Sequence, residues 1–582
     1  MLFSKSIVVL LTGVTLTAAA PARGPTKRAP CENTPTSRGC WGDFSIDDDP
    51  HYTWPDTGVT RTFNFNIGYT TLSPDGISKQ MMTINNQYPG PPIEANWGDN
   101  IQVTVCNNLD VNGTGIHFHG VRQYLSNFAD GAASQTECPI SPGDCFTYKF
   151  KATQHGTSWY HSHYSLQYSQ GILGPIIIHG PKTSNYDIDL GPLNIQDYYR
   201  ESVFELSQSP QTRILGIPPV PISGLINGKN TNLAGTNGSR HEITFTPNKK
   251  HLLRLINTGT EVTFRFSIDN HSLLVVSADF IPIVPFTTTS LLIAVGQRYD
   301  VIITANQPSN TSYWARVEPI LSCLSITLNV PNIRAIVRYP NSPPGSLPSS
   351  LPPLFLDNSC TDQPLSSLVP YHSHSVPPSA LTSSTQADLL PASSSSYAMK
   401  WQITSNHSSS STPHNYSPLK SNPIPRLLLS SSPPTEIPSE FVPLDLTPLS
   451  LPPSSFIYIL ISSTLPLPHP IHLHGHDIYI LGRGTGTFLP GITPYNTANP
   501  PRRDTINLPQ TGWLLLAFST DNPGSWLLHC HIAWHLHDGF GMTILEGTNR
   551  SDLTGVYTNG GHDAELERVC VNWEGSGLDS RI

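Results

Sequence analysis

The sequence predicts an all-β protein built from several β-sandwich domains. Proline accounts for 56 of the 582 residues and glycine for 42. Because proline interrupts helices, this composition favours short strands joined by turns. Runs of β-branched, aromatic or alternating residues, separated by turn residues, predict the strands themselves. The clearest runs are 61–67, 101–105, 174–178, 251–256, 263–268 and 299–303.

Length and turn composition together predict three domains. A chain of 582 residues is about three to four times the size of an ordinary domain, so two to four cores are expected. Residues 180–184 and 340–353 are rich in turn-forming residues, which marks them as boundaries. The predicted parts are a first β-sandwich at 29–182, a second at 183–340, a Ser/Pro-rich segment with the start of the third domain at 341–464, and a third β-sandwich at 465–582.

The Ser/Pro-rich segment departs from the rest of the chain. The early strands of a third sandwich should lie between 341 and 464, yet the alternation of apolar and polar residues fades after Trp401. Such a composition ordinarily buries too little apolar surface to form a core. We therefore expect a third domain that is incomplete or divergent, unless this stretch is a wrongly read coding region.

The N-terminus predicts export from the cell. An apolar run over 7–16 follows a basic residue and precedes three alanines at 18–20, which is the pattern of a signal peptide over residues 1–20. The basic pair Lys27-Arg28 would end a propeptide over 21–28 if it is a processing site, and such pairs also arise by chance. No later apolar run reaches the ~18 residues needed to span a membrane. We expect a secreted protein with no membrane partner.

The net charge and the glycosylation sequons agree with the prediction of a secreted protein. The chain has 32 Lys and Arg against 41 Asp and Glu, a net charge of −9, so nucleic acid is not an expected partner. Asn-x-Ser/Thr sequons accept N-linked glycans in secreted proteins. The sequons lie at Asn112, Asn237, Asn270, Asn310, Asn406, Asn415 and Asn549.

Nine cysteines leave one unpaired in an oxidising compartment. We assign the unpaired position to Cys530, because its place between two histidines gives it a separate chemistry. The other eight can form up to four disulfides, and their spacing favours Cys31 with Cys40. Spacing leaves the pairing of the remaining six open, namely Cys106, Cys138, Cys145, Cys323, Cys360 and Cys570.

The first and last domains carry the same histidine pattern, which indicates a duplicated domain. Residues 116–120 (Ile-His-Phe-His-Gly) match 471–475 (Ile-His-Leu-His-Gly). Residues 160–163 (Tyr-His-Ser-His) match 528–531 (Leu-His-Cys-His), and in both copies a glycine follows ten residues after the first of these histidines. The middle domain has no His-x-His pair in its sequence, so we expect it to supply walls rather than metal ligands.

The four His-x-His pairs predict a copper cluster. Side chains two residues apart in a strand point to the same face, so each pair presents two imidazoles side by side. A single pair is more often structural than ligating, but four pairs at matched positions favour a metal site. Eight imidazoles exceed the needs of one tetrahedral zinc and suit several copper ions. These eight are His117, His119, His161, His163, His472, His474, His529 and His531.

Cys530 predicts a second, mononuclear copper site. Because it alternates with two cluster histidines, its thiolate points to the opposite face of the strand. Copper bound by two imidazoles and one thiolate is the electron-transfer arrangement of blue copper sites, and His469 and His535 are the candidate imidazoles. Phe540 stands where an axial methionine could bind. Since phenylalanine cannot coordinate, we expect a raised reduction potential, although the position also suits an ordinary core residue.

The repeat provides an internal control for this second site. The three blue-site positions correspond in the first domain to Thr114, Ser162 and Gln167. The mononuclear site therefore belongs to the third domain alone, whereas the cluster takes four ligands from each terminal domain. The terminal domains must then pack face to face. A one-electron site joined to such a cluster is suited to collecting electrons singly and delivering four to O2, which predicts an oxidase that forms water.

These motifs resemble those of the multicopper oxidases, specifically the laccases of ascomycete fungi. The resemblance covers about 31–340 and 465–573, and it implies three cupredoxin-like domains, each a Greek-key β-sandwich. The segments that carry it are 469–476 (His-Pro-Ile-His-Leu-His-Gly-His), 529–535 (His-Cys-His-Ile-Ala-Trp-His), 31–35, 156–163, 295–300 and 500–504.

The resemblance also implies how four copper ions are held and what they do. The implied reaction is one-electron oxidation of phenols and aromatic amines, coupled to reduction of O2 to water by a monomeric enzyme. It leaves open lignin degradation, pigment formation or detoxification as the task. The implied ligands are His469, Cys530 and His535 for the type 1 copper, His117 and His472 for the type 2 copper, and His119, His161, His163, His474, His529 and His531 for the type 3 pair.

Two carboxylates and the disulfides are further implications of the resemblance. Glu261, in segment 255–261, matches the acid that accepts the phenolic proton beside the type 1 site, and it suits a solvated loop acid equally well. Asp130 matches the acid that relays protons near the cluster. The implied disulfides are Cys31–Cys40, Cys106–Cys570 and Cys323–Cys360, with Cys138 and Cys145 unassigned.

Two alternatives differ from a laccase in function. A ferroxidase or other metal oxidase on the same scaffold would need acidic residues around His469 and His535, and Asp477 and Asp538 are close in sequence. A catalytically impaired copper-binding paralogue would follow if segment 341–464 prevents a packed third domain. Copper content and turnover of Fe(II) against a diphenol separate these alternatives.

Overall fold

The structure is a computed structural model of the chain. It describes residues 30–215, 218–323, 325–329, 332–353, 359–377, 390–393, 396–405, 408–409, 455–537, 540–546, 555–558 and 561–578. The predicted signal peptide 1–20 and propeptide 21–28 lie outside these ranges. The all-β prediction is confirmed, since three β-sandwiches follow one another along the chain. The six strand-like runs of the sequence all fall in strands, with Thr263 one residue before its strand begins.

The first domain has two four-stranded sheets and a short N-terminal hairpin. Its strands are β1 (Cys40–Trp41), β2 (Phe44–Ser45), β3 (Thr60–Leu72), β4 (Lys79–Ile84), β5 (Ile93–Asn96), β6 (Asn100–Asn107), β7 (Ile116–His119), β8 (Cys145–Lys151), β9 (Gly156–Ser162) and β10 (Leu173–His179). The sheet orders are β4-β3-β6-β8 and β5-β10-β9-β7. Strand β6 alternates strictly between buried and half-buried residues, as expected for a strand with one face on a core.

The second domain has a six-stranded and a five-stranded sheet. Its strands are β11 (Ile188–Tyr198), β12 (Ser223–Ile226), β13 (Glu242–Thr244), β14 (Lys250–Asn257), β15 (Phe264–Ile268), β16 (Leu273–Ala278), β17 (Ile281–Thr288), β18 (Leu291–Ile293), β19 (Arg298–Thr304), β20 (Ser312–Pro319) and β21 (Arg334–Arg338). The orders are β12-β11-β14-β19-β16-β17 and β13-β21-β20-β15-β18. Aliphatic and aromatic side chains from both sheets form its core.

The third domain has a seven-stranded and a four-stranded sheet. Its strands are β22 (Leu390–Ser393), β23 (Ser396–Ser405), β24 (Ser408–Ser409), β25 (Ser455–Ser463), β26 (His469–Leu473), β27 (Ile478–Thr485), β28 (Arg502–Arg503), β29 (Thr505–Leu508), β30 (Gly512–Thr520), β31 (Gly524–Cys530) and β32 (Gly541–Glu546). One sheet has the order β22-β23-β25-β30-β27-β28, with β24 beside β23, and the other is β29-β26-β31-β32.

Strand β25 shows what the Ser/Pro-rich segment contributes to this domain. Alternate residues of the strand pack into two different cores, with Ile457, Ile459 and Ile461 on one face and Tyr458 and Leu460 on the other. A strand covered on both faces reads as a continuous apolar run rather than an alternating one. β25 pairs in parallel with β23 and antiparallel with β30, which places it in the middle of the sheet.

Among the described residues, helices are short except near the C-terminus. They are α1 (Gln167–Gln170), α2 (Val203–Ser207), α3 (Pro210–Leu215), α4 (Ala533–His537) and α5 (His562–Ser576). Helix α5 buries Leu566, Val569, Cys570 and Trp573, which share one face of a helix because they are three or four residues apart. That face packs into the core of the first domain. In the described part of the chain, no helix has both the length and the apolar character required to cross a membrane.

The disulfides confirm two predicted pairings and correct one. Cys31 pairs with Cys40, and Cys323 pairs with Cys360. The expected Cys106–Cys570 bond is wrong, because Cys106 in β6 lies directly opposite Cys145 in β8 and bonds to it instead. Cys570 bonds to Cys138, which attaches helix α5 to the first domain. Cys530 is the free cysteine of the described residues, and it is buried.

Candidate metal centres

Two pairs of neighbouring strands position the eight predicted cluster histidines. His117 and His119 lie on β7, and His117 is the cross-strand partner of His161 on β9. The third domain repeats this register, since His472 on β26 is the partner of His529 on β31. His163 follows directly after β9, and His531 follows directly after β31. Burial is nearly complete for all eight, with His163 the most exposed at 8%.

Glycine ends the first His-x-His pair in both domains for a steric reason. Gly120 and Gly475 both have φ of +71°, a left-handed conformation that side chains disfavour. A Cβ atom at Gly120 would also lie 2.3 Å from the Asp504 carboxylate. At Gly475 it would lie 2.4 Å from the Trp526 ring. The glycine of the repeated motif therefore permits the tight turn that directs the strand away after its histidines.

The terminal domains face each other across the cluster, as the repeat predicts. The His117 ring stacks on His474 and the His119 ring stacks on His472, each with ring centroids 3.8 Å apart. Ring nitrogens of His163, His474 and His529 lie within 4.8 Å of one another. Two further groups with the same spacing are His117, His119 and His161, and His117, His472 and His474. The cluster therefore draws on both ends of the chain.

The hydrogen bonds of His474 and His529 test whether a cation fits between them. His474 donates from Nδ1 to Asp130 Oδ2 at 2.8 Å, and His529 donates from Nδ1 to the carbonyl of Cys530 at 2.8 Å. Each neutral ring then has a bare lone pair on Nε2. These two Nε2 atoms are 3.1 Å apart. Two lone pairs at that distance repel each other unless a cation binds both, so the pair suits a metal ion.

A second pair of ring nitrogens from two cluster histidines lies equally close together. His119 donates from Nε2 to Asp504 Oδ1 at 3.1 Å, which leaves its Nδ1 bare and 3.1 Å from His531 Nε2. Other cluster rings direct a buried Nε2 atom at no partner within the described residues, and such orphaned atoms are costly without a ligand. These are the Nε2 atoms of His117, His161, His163 and His472.

Burial keeps seven of the eight cluster imidazoles neutral, which is the form that binds metal. It lowers the pKa of His529 to about 3. Burial, with added repulsion from neighbouring imidazoles, lowers the pKa of His119, His161 and His163 well below its ordinary value. The same causes act on His472, His474 and His531. A cavity that disfavours protons on so many imidazoles matches the N-donor set that copper prefers.

The predicted blue-site residues also meet. His469 Nδ1 lies 3.7 Å and His535 Nδ1 3.4 Å from Cys530 Sγ. Cys530 is fully buried, and burial raises the pKa of its thiol, a cost that bound copper would offset by favouring the thiolate. The Phe540 ring packs 5.0 Å from the His469 ring and 6.0 Å from the His535 ring, between centroids. Phe540 therefore contributes no coordinating side-chain atom at this position.

The corresponding place in the first domain is filled by hydrogen bonds. Thr114 and Ser162 both donate from their hydroxyls to Gln167 Oε1, at 2.8 and 2.7 Å. Gln167 donates from Nε2 to the carbonyl of Gly113 at 2.7 Å. All three side chains are fully buried. The first domain thus keeps the position but satisfies it internally.

Glu261 lies beside the helix that carries His535. The carbonyl of Thr260 accepts a hydrogen bond from the backbone N–H of Ala533, the first residue of α4, at 2.8 Å. Tyr199 donates from Oη to Glu261 Oε2 at 3.4 Å, and its ring meets Trp534 edge-on. Burial, and then the nearby Asp197 carboxylate, raise the pKa of Glu261 to about 8.

Asp130 lies at the junction of the terminal domains. Besides accepting from His474, its backbone carbonyl accepts from His117 Nδ1 at 2.7 Å. Its carboxylate is fully buried, and Oδ1 lies 3.4 Å from the same His117 nitrogen. One residue therefore contacts a ligand candidate from each end of the chain. The ferroxidase candidate Asp477 is buried against Gln154 of the first domain, and Asp538 lies outside the described residues.

Sequence reasoning missed a buried ionic network from the second domain. Arg298 donates two hydrogen bonds to the Asp504 carboxylate, both at 2.6 Å. Asp279 accepts from Arg503 and from the backbone N–H of Asp504. Burial raises the pKa of Asp504 to about 6, and Arg298 opposes that rise. The middle domain therefore orients His119 through Asp504 instead of only forming a wall. Segments 295–300 and 500–504 are among those that carry the family resemblance, and the charged residues inside them are the available signal.

Comparison with known proteins gives a consistent family. The family described as Multicopper oxidase matches residues 66–183, 189–342 and 421–550. Oxidoreductase OpS5 of Beauveria bassiana is 42% identical, with 93% of this chain and 90% of that protein covered. Laccase-2 of Botryotinia fuckeliana is 39% identical, with 98% and 96% covered.

Solved structures agree with this match. The crystal structure of laccase from Botrytis aclada superposes with a TM-score of 0.82 at 37% identity, covering 95% of this chain and 100% of that one. The similarity extends over nearly the whole chain and its three cupredoxin-type domains. It also implies copper as the metal of the two centres. This chain therefore belongs to the multicopper oxidase family and is of the fungal laccase type.

Proposed function

We propose that the protein is a secreted laccase that oxidises phenols and aromatic amines one electron at a time and reduces O2 to water. The observation that carries the proposal is the arrangement around Cys530. Its thiol meets His469 and His535. Of the two flanking histidines, His531 lies 3.1 Å from His119 of the first domain and His529 lies 3.1 Å from His474, between ring nitrogens. The strand β31 thus connects two metal centres through the backbone of one residue. All ligand candidates come from one chain, which supports action as a monomer.

The orphaned and lone-pair nitrogens support one assignment of copper ligands. His469, Cys530 and His535 would hold the type 1 copper, and His117 and His472 would hold the type 2 copper. Bound copper would supply one-electron acceptance from substrate and four-electron reduction of O2. The proposed type 3 ligands are His119, His161, His163, His474, His529 and His531.

The chain's own carboxylates would move the protons. A phenol that loses one electron towards His535 also loses its hydroxyl proton, and Glu261 is placed beside α4 to accept it. Asp130, in contact with His474 and His117, is placed to deliver protons at the cluster. Four phenols give four electrons and four protons, which convert one O2 into two waters and leave four phenoxyl radicals.

Two features support the substrate class and the location. Glu261 is a carboxyl group partly shielded from water that can take a proton from an uncharged phenol or amine. The sequons at Asn237, Asn270 and Asn310 are exposed, as glycan acceptors of a secreted protein must be.

Copper quantitation with an absorption spectrum tests the proposal. The copper-loaded protein should hold four coppers per chain, show the intense visible band of a copper thiolate and consume O2 with a diphenol. Cys530→Ser should hold three coppers, lose that band, and slow O2 uptake by about a thousandfold or more. Ser162→Ala, at the matched position of the first domain, should keep both copper content and colour. A Cys530→Ser protein with full colour and activity would contradict the proposal.

A further inference from the structure

Asp197, near the end of β11, has an unusual set of partners. The residue is 1% exposed. Oδ1 accepts the backbone N–H of Thr260 at 2.7 Å, and Oδ2 accepts those of Glu261 and Val262, both at 2.8 Å. No Lys or Arg within the described residues forms an ion pair with it. A buried carboxylate held chiefly by peptide groups carries a desolvation cost that a neutral side chain would avoid.

The three peptide groups belong to the loop that presents Glu261. On its other side, this loop is fixed by the bond from the Ala533 N–H to the carbonyl of Thr260. Asp197 therefore holds one side of the loop, and the helix that carries His535 holds the other. Because β11 belongs to the second domain and α4 to the third, the contact also sets the spacing between two domains at this point.

Tyr199, two residues further along, constrains the side chain of the same glutamate. Its hydroxyl donates to Glu261 Oε2 at 3.4 Å, and its ring contacts Trp534 with centroids 5.7 Å apart. The end of β11 and the residue directly after it thus contact both the backbone and the carboxylate of Glu261. A proton acceptor held from two directions loses little freedom when substrate binds.

We propose that Asp197 is a positioning residue for phenol oxidation, which holds Glu261 at a fixed distance from His535 so that one phenol can lose its electron and its proton together. The inference rests on the proposed function. The chemical step balances as in the proposed reaction. The phenol O–H bond breaks, the proton passes to the Glu261 carboxylate, and the electron leaves towards His535. Asp197 touches neither substrate nor metal.

The charge of Asp197 acts on the same reaction. After burial, it is the main cause that raises the pKa of Glu261. Other titratable groups around Glu261 are Tyr199, which donates to it, and Tyr168, whose hydroxyl reaches the carbonyl of Gly259 in the same loop. Helix α4 adds His535 and His537. Removing the charge of Asp197 should therefore let Glu261 lose its proton at lower pH.

The test compares Asp197→Asn with Asp189→Asn in the copper-loaded enzyme. Asp189 is a matched control because it lies on the same strand and accepts a backbone N–H, from Gly191, but contacts Arg254 instead of the Glu261 loop. Each variant is assayed across pH with a diphenol and with ferrocyanide, which gives an electron but no proton. Asparagine directs an N–H2 at a backbone donor, so at least one loop bond is lost.

We expect Asp197→Asn to lower kcat/KM for the diphenol by about tenfold while ferrocyanide oxidation stays within about twofold. The pH at which the diphenol rate is half-maximal should move to lower pH. In a Glu261→Gln background, Asp197→Asn should have no further effect on the diphenol. Asp189→Asn should move neither the ratio of the two donors nor the pH profile.

Two outcomes would overturn the inference. Equal losses for both donors would make Asp197 a structural residue only, and an unchanged diphenol rate and pH profile would leave it without a role. Tyr199→Phe gives a second variant that keeps the ring and removes the hydroxyl, and it should lower only the diphenol rate. An unsubstituted enzyme that oxidises neither donor would instead refute the proposed function.

Discussion

The first and third domains use the same strand pair in different ways. In both, a histidine on one strand faces a histidine on its neighbour, and both supply four imidazoles to the cluster. Beside that strand pair, the third domain brings together His469, Cys530 and His535, and the first domain brings together Thr114, Ser162 and Gln167. The side chains of Thr114, Ser162 and Gln167 satisfy one another through hydrogen bonds. In the third domain, Nε2 of His469 has no partner within the described residues. Duplication therefore kept the cluster face twice and the blue-site face once.

Making the third domain resemble the first should have the largest effect. His535→Gln installs the residue that the first domain carries at Gln167. We expect loss of the visible copper band, three bound coppers, and a fall in diphenol oxidation of about a thousandfold or more, because the cluster no longer receives electrons. His537→Gln on the same helix is the control and should keep four coppers. Retention of the band in His535→Gln would show that the two trios are not equivalent positions.

Glu261 sharpens the comparison, because its loop contacts the third-domain helix that carries His535. Glu261→Gln keeps the shape but cannot accept a proton. The carboxyl pKa of about 8 means that the base form appears as pH rises through that value, so diphenol turnover relative to ferrocyanide turnover should rise there. In Glu261→Gln, this ratio should be flat and about tenfold or more lower above pH 8. Steady-state rates from pH 5 to 10 give the measurement, and an unchanged rise in the variant would exclude Glu261 as the acceptor.

Breaking the first-domain trio should affect stability and leave activity intact. Gln167→Leu leaves the hydroxyls of Thr114 and Ser162 and the carbonyl of Gly113 without their partner. Buried groups in that condition should lower the free energy of unfolding by about 3 kcal/mol in total. Copper content, colour and diphenol turnover should stay within about twofold. Gln170→Leu on the same helix should cost less, since its amide makes longer bonds. Loss of colour in Gln167→Leu would mean that this trio also supports the copper sites.

Short-range sequence patterns were sufficient to predict much of the fold and the grouping of the histidines. Period-two spacing places His117 beside His119, and the repeat indicates that the terminal domains meet. The role of Arg298 could not be predicted, because its contact with Asp504 depends on how three domains pack. Cysteine pairing failed at Cys106 for a related reason, since resemblance does not fix the register of β6 against β8. Strand β25 is buried on both faces, so it shows no alternation to detect.

The Cys138–Cys570 bond joins positions 432 residues apart in sequence. A protease that cuts the chain once between them produces two fragments that remain covalently connected. Such a nicked molecule would migrate as a single species on a non-reducing gel and separate only after reduction. Apparent integrity under non-reducing conditions is therefore a poor measure of an unbroken backbone in this protein, and samples for copper and activity measurements need to be checked after reduction.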